Sequence, residues 1–394
     1  MRSAARLNRL GTEDAYVVLG AARQLEAAGH HVVHLEIGEP DVGTAPHVVE
    51  AGIRALREGQ TKYALAAGLP ALRDAIAQSL TGRGVRTFAE NVIITPGAKP
   101  MLFCAALALI DPGDEVLCPN PGFPIYESVV RFADGTPVYY PLANSRSFAP
   151  DVNAIAERIT PRTRVLILNV PHNPTGGIAS PDDLARLAAL AERHDLWIIS
   201  DEVYWQISYG SRSQSIAALP GMLERTVIVD GFSKAYAMTG WRLGYGVMPS
   251  WLAGPMTTLI INNLSCTATF VQYAGLAALQ GPQDSVQRWV ASLKARRDLV
   301  VAGLNAIDGV TCATPPGAFY AFPDISALLE RTGLTCQQFA ERLLAEAYTA
   351  VLSGTAFGPG GDGHLRLSYA TERSELELGL ERLKNWVTSL AAVV

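Results

Sequence analysis

The segment TVIVDGFSKAYAMTGWRLGY, residues 226–245, carries the strongest indication of the chain's architecture. It opens on the apolar run 226–229, which lacks polar alternation, as is typical of a strand buried on both faces. Lys234 follows this run among small, hydroxyl and aromatic residues, and Arg242 lies eight positions further on. A poorly solvated lysine near another cation loses proton affinity and becomes a nucleophile that can form a Schiff base. The segment therefore indicates a buried strand that ends in a reactive lysine, although a surface lysine is the commoner reading of any single lysine.

Working outward from this segment, the chain alternates short apolar runs with helix-like stretches such as 181–194. The other apolar runs lie at 92–94, 115–118, 165–168 and 196–199. This alternation predicts an α/β fold with a mostly parallel sheet between layers of helices.

After about residue 280 the pattern changes to long helical stretches with a few strands between them. The helical stretches are 286–304, 336–347 and 372–390, and the strands are 319–322 and 364–369. We expect a large domain over 47–283, and a smaller α+β domain built from 284–394 together with an N-terminal arm, 1–46.

Composition excludes several classes of protein. The 394 residues include 32 Lys and Arg against 37 Asp and Glu, a net charge of -5, which argues against nucleic acid or an anionic membrane as a partner. Five cysteines without a Cys-x-x-Cys pair indicate neither a disulfide framework nor a zinc knuckle. With no secretory signal and no apolar run near ~18 residues, we expect a cytoplasmic protein.

The histidines at 30, 31 and 34 form the nearest approach to a metal-binding pattern. No acidic or cysteine partner is expected to complete a metal set there, so we expect no metal.

Two further strand ends carry polar residues. Asp201, in SDEVY, follows the run 196–199, and open α/β sheets place their ligand crevice at such strand ends. Tyr204 would bring a phenol to the same place. The segment 169–177, NVPHNPTGG, follows the run 165–168. Each admits a plainer reading, a helix cap or turn carboxylate for Asp201 and a simple turn for NPTG.

Taken together, these segments resemble the class I and II aminotransferases of pyridoxal-phosphate fold type I, in their bacterial aspartate-aminotransferase-like branch. The likeness runs from about residue 35 to 369 and includes LEIGEPD (35–41), TKYALAAGLPALRDAIA (61–77), ITPGAK (94–99), NPGFPIY (120–126), NPTGG (173–177), SDEVY (200–204), SKAYAMTGWRLGY (233–245), PPGAFYAF (315–322) and HLRLSYA (364–370). The resemblance implies a mostly parallel seven-stranded sheet, pyridoxal 5′-phosphate as cofactor, and ping-pong transamination between L-amino acids and 2-oxo acids. It also implies a homodimer with shared active sites.

The resemblance assigns roles around the cofactor ring. Lys234 resembles the lysine that holds the cofactor aldehyde as a Schiff base and moves the substrate proton. Asp201 resembles the partner of the pyridine nitrogen. Tyr204 and Asn173 would hydrogen-bond the phenolic oxygen, and Phe123 would stack on the ring.

A second set of residues is implied at the cofactor phosphate. It comprises the backbone of Gly97, Ala98 and Lys99 at a helix start, the side chains of Ser233 and Arg242, and Tyr63 from the other subunit. Gly231 departs from the family pattern, because many relatives have a phosphate-binding serine at this position.

Substrate recognition is implied at three residues. Arg366 resembles the arginine that binds the α-carboxylate, with Asn173 beside it, and Gly38 resembles the backbone position that closes over the same group. The bonds before Pro121 and Pro174 are expected to be cis.

Lys99 resembles a lysine that can face the distal carboxylate of a dicarboxylic substrate. Two departures from the relatives argue against this role: the acidic stretch 11–14, GTED, where they have small hydroxyl residues, and Pro100, where they have glutamine. We expect glutamate and 2-oxoglutarate as one pair of substrates and leave the other pair open.

Two alternatives remain at this stage. A β-lyase or cyclase of the same fold would use the same residues. A cofactor-sensing regulator would carry an N-terminal DNA-binding domain, and the roughly 34 residues before LEIGEPD are expected to be too few for one.

Overall fold

The computed structural model describes residues 2–210 and 213–391. The α-helices are α1 (Asp14–Ala27), α2 (Pro46–Arg57), α3 (Pro70–Thr81), α4 (Ala98–Leu109), α5 (Ile125–Phe132), α6 (Val152–Glu157), α7 (Pro181–Arg193), α8 (Ser250–Asn263), α9 (Thr269–Gln280), α10 (Asp284–Asn305), α11 (Ser326–Thr332), α12 (Cys336–Ala347) and α13 (Arg373–Ala391). The strands are β1 (Val33–His34), β2 (Val92–Thr95), β3 (Glu115–Asn120), β4 (Thr136–Ala143), β5 (Ala149–Pro150), β6 (Thr163–Asn169), β7 (Trp197–Asp201), β8 (Thr226–Gly231), β9 (Gly244–Val247), β10 (Tyr320–Ala321), β11 (Thr349–Ala350), β12 (Leu352–Ser353) and β13 (Leu365–Ser368).

Within the described residues, the main sheet has eight strands in the order β2-β9-β8-β7-β6-β3-β4-β5. Strands β8, β7, β6, β3 and β4 run parallel, while β9 is antiparallel to both of its neighbours. The predicted α/β fold is confirmed. The strand β5 extends the expected seven strands to eight, and with two residues it is too short to produce a recognisable apolar run.

Apolar side chains on both faces explain why the central strands show no alternation. In β8, Val227 and Val229 face a cluster that includes Met101 of α4, while Ile228 faces the opposite cluster with Ile76 of α3. Strands buried on both sides leave polar residues only at their ends. The carboxyl ends of β6, β7 and β8 therefore become the place where polar groups collect.

The C-terminal residues form a second core around the antiparallel sheet β10-β13-β12. Phe319 and Trp386 pack there with Val33 and Leu35 from the N-terminal segment. This packing agrees with the expected association of 1–46 with 284–394, while the domain boundaries themselves stay predictions. Among the described helices, none combines the length and the apolar character needed to cross a bilayer.

Candidate active site

A cavity of about 540 Å³ opens at the carboxyl ends of the parallel strands. The predicted site residues that line it are Gly38, Ala98, Lys99, Phe123, Asn173, Asp201, Tyr204, Ser233, Lys234, Arg242 and Arg366. Gly97 lies directly before the lining residue Ala98, and Tyr63 does not line the cavity of its own chain. The structure thus brings together residues that are up to 328 positions apart in the sequence (38 and 366).

Lys234 lies three residues beyond the end of β8 and projects into the cavity. Its Nζ donates a hydrogen bond to the backbone oxygen of Gly38 at 2.6 Å, and the rings of Tyr204 and Phe319 lie 5.9 and 5.8 Å from it. Burial lowers the pKa of Lys234 to about 8, and the Arg366 cation acts in the same direction. About a tenth of this amine is therefore neutral, and nucleophilic, at pH 7, far more than for an ordinary exposed lysine.

Asp201 is the buried last residue of β7. Its Oδ2 accepts a hydrogen bond from the Tyr126 hydroxyl at 2.7 Å. Burial raises the pKa of Asp201 to about 6, and the Tyr126 hydrogen bond opposes this rise. The carboxyl group is consequently ionised at neutral pH although it is buried. Tyr126 lies within the motif NPGFPIY, but nothing in the sequence distinguishes it as a partner of Asp201.

Asn169, at the end of β6, joins the neighbouring segments of the site. Its Nδ2 donates to the backbone oxygen of Asp201 at 3.0 Å, and its Oδ1 accepts from the backbone N–H of Asn173 at 2.8 Å. The sequence places Asn169 after a buried strand, and that position is the signal that could have identified it. The bonds before Pro121 and Pro174 are both cis, as expected, and the bond before Pro171 is cis as well.

Arg366 of β13 reaches the cavity from the C-terminal part of the chain. Its Nη1 donates to Asn173 Oδ1 at 3.3 Å, its Nη2 donates to the Glu36 backbone oxygen, and its guanidinium lies 4.5 Å from the centroid of the Tyr320 ring. Its buried Nε has no hydrogen-bond partner among the described residues. A buried guanidinium with a free N–H is suited to a carboxylate ligand, because an unpaired buried donor is costly.

Glycine is required at position 38 because the Tyr320 side chain lies close to its backbone. A Cβ at this position would overlap the Tyr320 phenol, whose hydroxyl is 2.8 Å from that of Tyr204. The two tyrosines and Gly38 thus form one wall of the cavity. Tyr320 falls inside the motif PPGAFYAF, but the sequence alone does not single it out as a cavity residue.

The backbone at the start of α4 provides a place for an anion. Gly97 precedes α4 with a φ of 95°, and a Cβ there would meet the guanidinium of Arg242. The first N–H groups of a helix lack partners within the helix and attract negative charge. Gly231 lies beside this region, and a Cβ on it would be 3.1 Å from both Gly244 Cα and the Leu243 oxygen. That crowding favours glycine at position 231.

The mouth of the cavity carries an ion pair between Lys99 and Glu13. The Lys99 side chain is 46% exposed and that of Glu13 is 19% exposed, and both residues line the cavity. Tyr63 is 89% exposed, so the phosphate contact expected from it is not made within one chain.

The chain matches known proteins over nearly its whole length. The family model of aminotransferase class I and II matches residues 30–383. An aspartate aminotransferase of Musicola paradisiaca is 37% identical and covers 100% of this chain and 98% of its own. An aromatic-amino-acid aminotransferase of Thermococcus litoralis is 38% identical, with 90% and 91% covered.

A solved structure supports the same relation. The aspartate aminotransferase of Thermus thermophilus with maleate superposes with a TM-score of 0.91 at 38% identity, covering 98% of this chain and 100% of that one.

Proposed function

The chain belongs to the class I and II aminotransferases, and we propose that its cofactor and its substrates bind in the cavity at the carboxyl ends of β6, β7 and β8. It is a pyridoxal-phosphate-dependent transaminase, and the β-lyase and cyclase alternatives are not favoured. One observation carries the proposed site. A lysine of lowered pKa, a buried carboxylate and a buried arginine all line one cavity.

The residues present fit the cofactor. When bound, pyridoxal 5′-phosphate supplies an aldehyde that reacts with amines and a ring that withdraws electrons from the substrate. Asp201 suits the ring nitrogen because it is ionised although buried. Phe123 would lie against the ring, and Tyr204 and Asn173 would bind its oxygen. The phosphate would be held by Gly97, Ala98, Lys99, Ser233 and Arg242.

Lys234 is the proposed proton carrier. With a pKa of about 8, its amine can both accept and release a proton near neutral pH. The Gly38 oxygen, 2.6 Å from Nζ, holds the amine in place without neutralising it. The rings of Tyr204 and Phe319 limit the access of water, which keeps the amine poorly solvated.

Arg366 would bind the substrate α-carboxylate through its guanidinium, with Asn173 and Gly38 alongside. Lys99 would bind the distal carboxylate of glutamate or 2-oxoglutarate, which requires Lys99 to leave Glu13. The maleate in the Thermus structure, a dicarboxylate, supports this half of the proposal. The other substrate pair, neutral or aromatic, is supported by the aromatic-amino-acid relative.

A homodimer is part of the proposal. The exposed Tyr63 lies outside the cavity of its own chain, which agrees with a contribution to the partner's cavity. A cytoplasmic location stays a prediction.

A donor and acceptor panel tests the proposed function. Purified enzyme loaded with cofactor is mixed with each amino acid, and conversion of the bound cofactor is followed by absorbance. We expect conversion by glutamate and its reversal by 2-oxoglutarate. Release of pyruvate and ammonia from cystathionine without any amino transfer would contradict the proposal and favour a β-lyase.

A further inference from the structure

A buried group of charged and polar side chains lies behind the cavity. It consists of Arg83, Glu202, Asp230 and Tyr245, and we call it the Arg83 cluster. None of its four members is among the described residues that line the cavity. The side chains of Arg83, Glu202 and Asp230 are 9%, 3% and 1% exposed. Three ionisable groups so deeply buried need a reason, because burial of charge is costly unless each charge is compensated.

The Arg83 guanidinium contacts both carboxylates of the cluster. Arg83 Nη2 hydrogen-bonds Glu202, and Arg83 Nη1 lies 3.5 Å from Asp230 Oδ2. The Trp205 ring covers the guanidinium, with its centroid 4.0 Å from Arg83 Cζ. The planar fork of arginine allows this double engagement, which a lysine could not reproduce.

Each carboxylate of the cluster is joined to a segment of the site. Glu202 directly follows Asp201 in the chain, and its Oε1 accepts hydrogen bonds from Ser200 and Ser215 at 2.9 and 2.6 Å.

Asp230 is joined to the segment that carries Lys234. Its Oδ1 accepts from the backbone N–H of Gly231 at 2.7 Å, and its Oδ2 accepts from the Tyr245 hydroxyl at 2.7 Å. Gly231 lines the cavity, and Lys234 follows three residues later. Arg83 therefore connects the segments that carry the proposed ring-nitrogen partner and the proposed Schiff-base lysine.

The charge of Arg83 also affects the ionisation of the neighbouring acids. Asp201, Glu202 and Asp230 are three buried acids at the ends of two adjacent strands, and Arg83 compensates the two that lie outside the cavity. Without Arg83, the negative charge of Glu202 would act uncompensated on the neighbouring Asp201, and like charges favour the protonated form of a carboxyl group. A protonated Asp201 could not stabilise a positive charge on a ring nitrogen.

We propose that Arg83 is a positioning residue of the transaminase site, which holds the ends of β7 and β8 in register and keeps Asp201 ionised for the cofactor. This inference rests on the proposed cofactor site.

The test compares Arg83 with Arg73, a partly buried arginine ten residues earlier in the chain. Arg83→Met removes the proposed residue. Arg73→Met is the matched control, because Arg73 of α3 donates to the backbone oxygens of Ala89 and Val92, at 3.0 and 2.9 Å, and has no contact with the cluster. Binding of pyridoxal 5′-phosphate to the cofactor-free proteins is measured by quenching of tryptophan fluorescence at several pH values.

Loss of Arg83 should raise the proton affinity of Asp201 about tenfold, so we expect R83M to bind the cofactor about twofold more weakly near pH 7 and about tenfold more weakly near pH 5. The loss should shrink as the pH rises, because Asp201 then ionises again. R73M should stay within about twofold of wild type at every pH. Equal cofactor affinities of folded R83M and R73M would overturn the proposal for Arg83.

A second variant separates charge from packing. R83M/E202Q also removes the Glu202 carboxylate that Arg83 compensates, so it should recover part of the lost affinity, and no recovery would count against the charge argument. If R83M does not fold, the comparison of R83K with R73K takes its place, with weaker binding expected for R83K alone and equal binding contradicting the proposal. Failure of the wild-type protein to bind the cofactor would instead overturn the proposed function itself.

Discussion

The inner end of the cavity, which we call the floor, and its solvent-exposed opening, the mouth, differ in how their side chains are held. At the floor, buried groups such as Asp201 and Asn169 are fixed by strand ends and by hydrogen bonds to one another. At the mouth, Lys99 and Glu13 form a partly exposed ion pair, and Tyr63 is almost fully exposed. Exposed ion pairs are weak and easily exchanged, whereas buried paired groups are not. The floor is therefore suited to chemistry common to every substrate, and the mouth to selection among substrates.

The largest expected effect concerns the floor. Lys234→Ala should lower turnover by about 10³-fold or more for every donor, since it removes both the nucleophile and the proton carrier. Steady-state kinetics with glutamate, alanine and phenylalanine measure this. A loss of turnover with only one donor would show that Lys234 selects among substrates. It would contradict the proposed division of roles between floor and mouth.

The second prediction tests whether the mouth is completed by another subunit. Tyr63→Ala and Lys234→Ala subunits, each poorly active, are mixed under conditions that exchange subunits. Random pairing makes about half of the dimers mixed, each with one intact site, so about a quarter of wild-type activity should return. Exchange is confirmed by mass spectrometry of the mixed species, and confirmed exchange without recovery would place Tyr63 outside the active site.

The third prediction addresses selectivity at the mouth. Lys99→Ala should lower kcat/KM for glutamate by about 10-fold to 100-fold, the size of a charge-assisted hydrogen bond, while leaving alanine within about threefold. Glu13→Gln should instead raise kcat/KM for glutamate, by a smaller factor, because it removes the carboxylate that pairs with Lys99. If Lys99→Ala lowers kcat/KM for glutamate and for alanine by the same factor, the role of Lys99 is structural.

The smallest effect is expected behind the floor, at His34. Its imidazole lies between two carboxylates, with Nδ1 2.8 Å from buried Glu36 and Nε2 3.1 Å from Glu26. The Glu36 carboxylate raises the pKa of His34 to about 9 from the ordinary 6.5. The pair supports the segment whose Glu36 backbone oxygen binds Arg366.

A raised pKa in the folded state means that the stabilisation is fully present below about pH 6.5 and is lost as the pH rises through about 9. His34→Gln should therefore lower Tm by a few degrees at about pH 6 and by less at about pH 9.5. His194→Gln, at the exposed end of α7, is the control. A Tm difference that stays constant over this range would contradict the ionic role of His34.

The floor could be predicted from the sequence much more fully than the mouth. Lys234, Asp201 and Asn173 lie within five residues of the ends of apolar runs, so local pattern was enough to place them near strand ends. Tyr126, Tyr320 and Arg83 could not be assigned, since their roles depend on which side chains distant segments bring together. The pair of Glu13 and Lys99 joins residues 86 positions apart, and no local pattern reports such a contact.

Chemical labelling of the reactive lysine tests the central claim most directly. Wild-type enzyme loaded with pyridoxal 5′-phosphate is reduced with borohydride, digested, and the modified peptide is sequenced by mass spectrometry. Because Lys234 has the lowered pKa and lines the same cavity as Asp201, we expect one label, on Lys234. A label on Lys99 or another lysine, with Lys234 unmodified, would contradict the account.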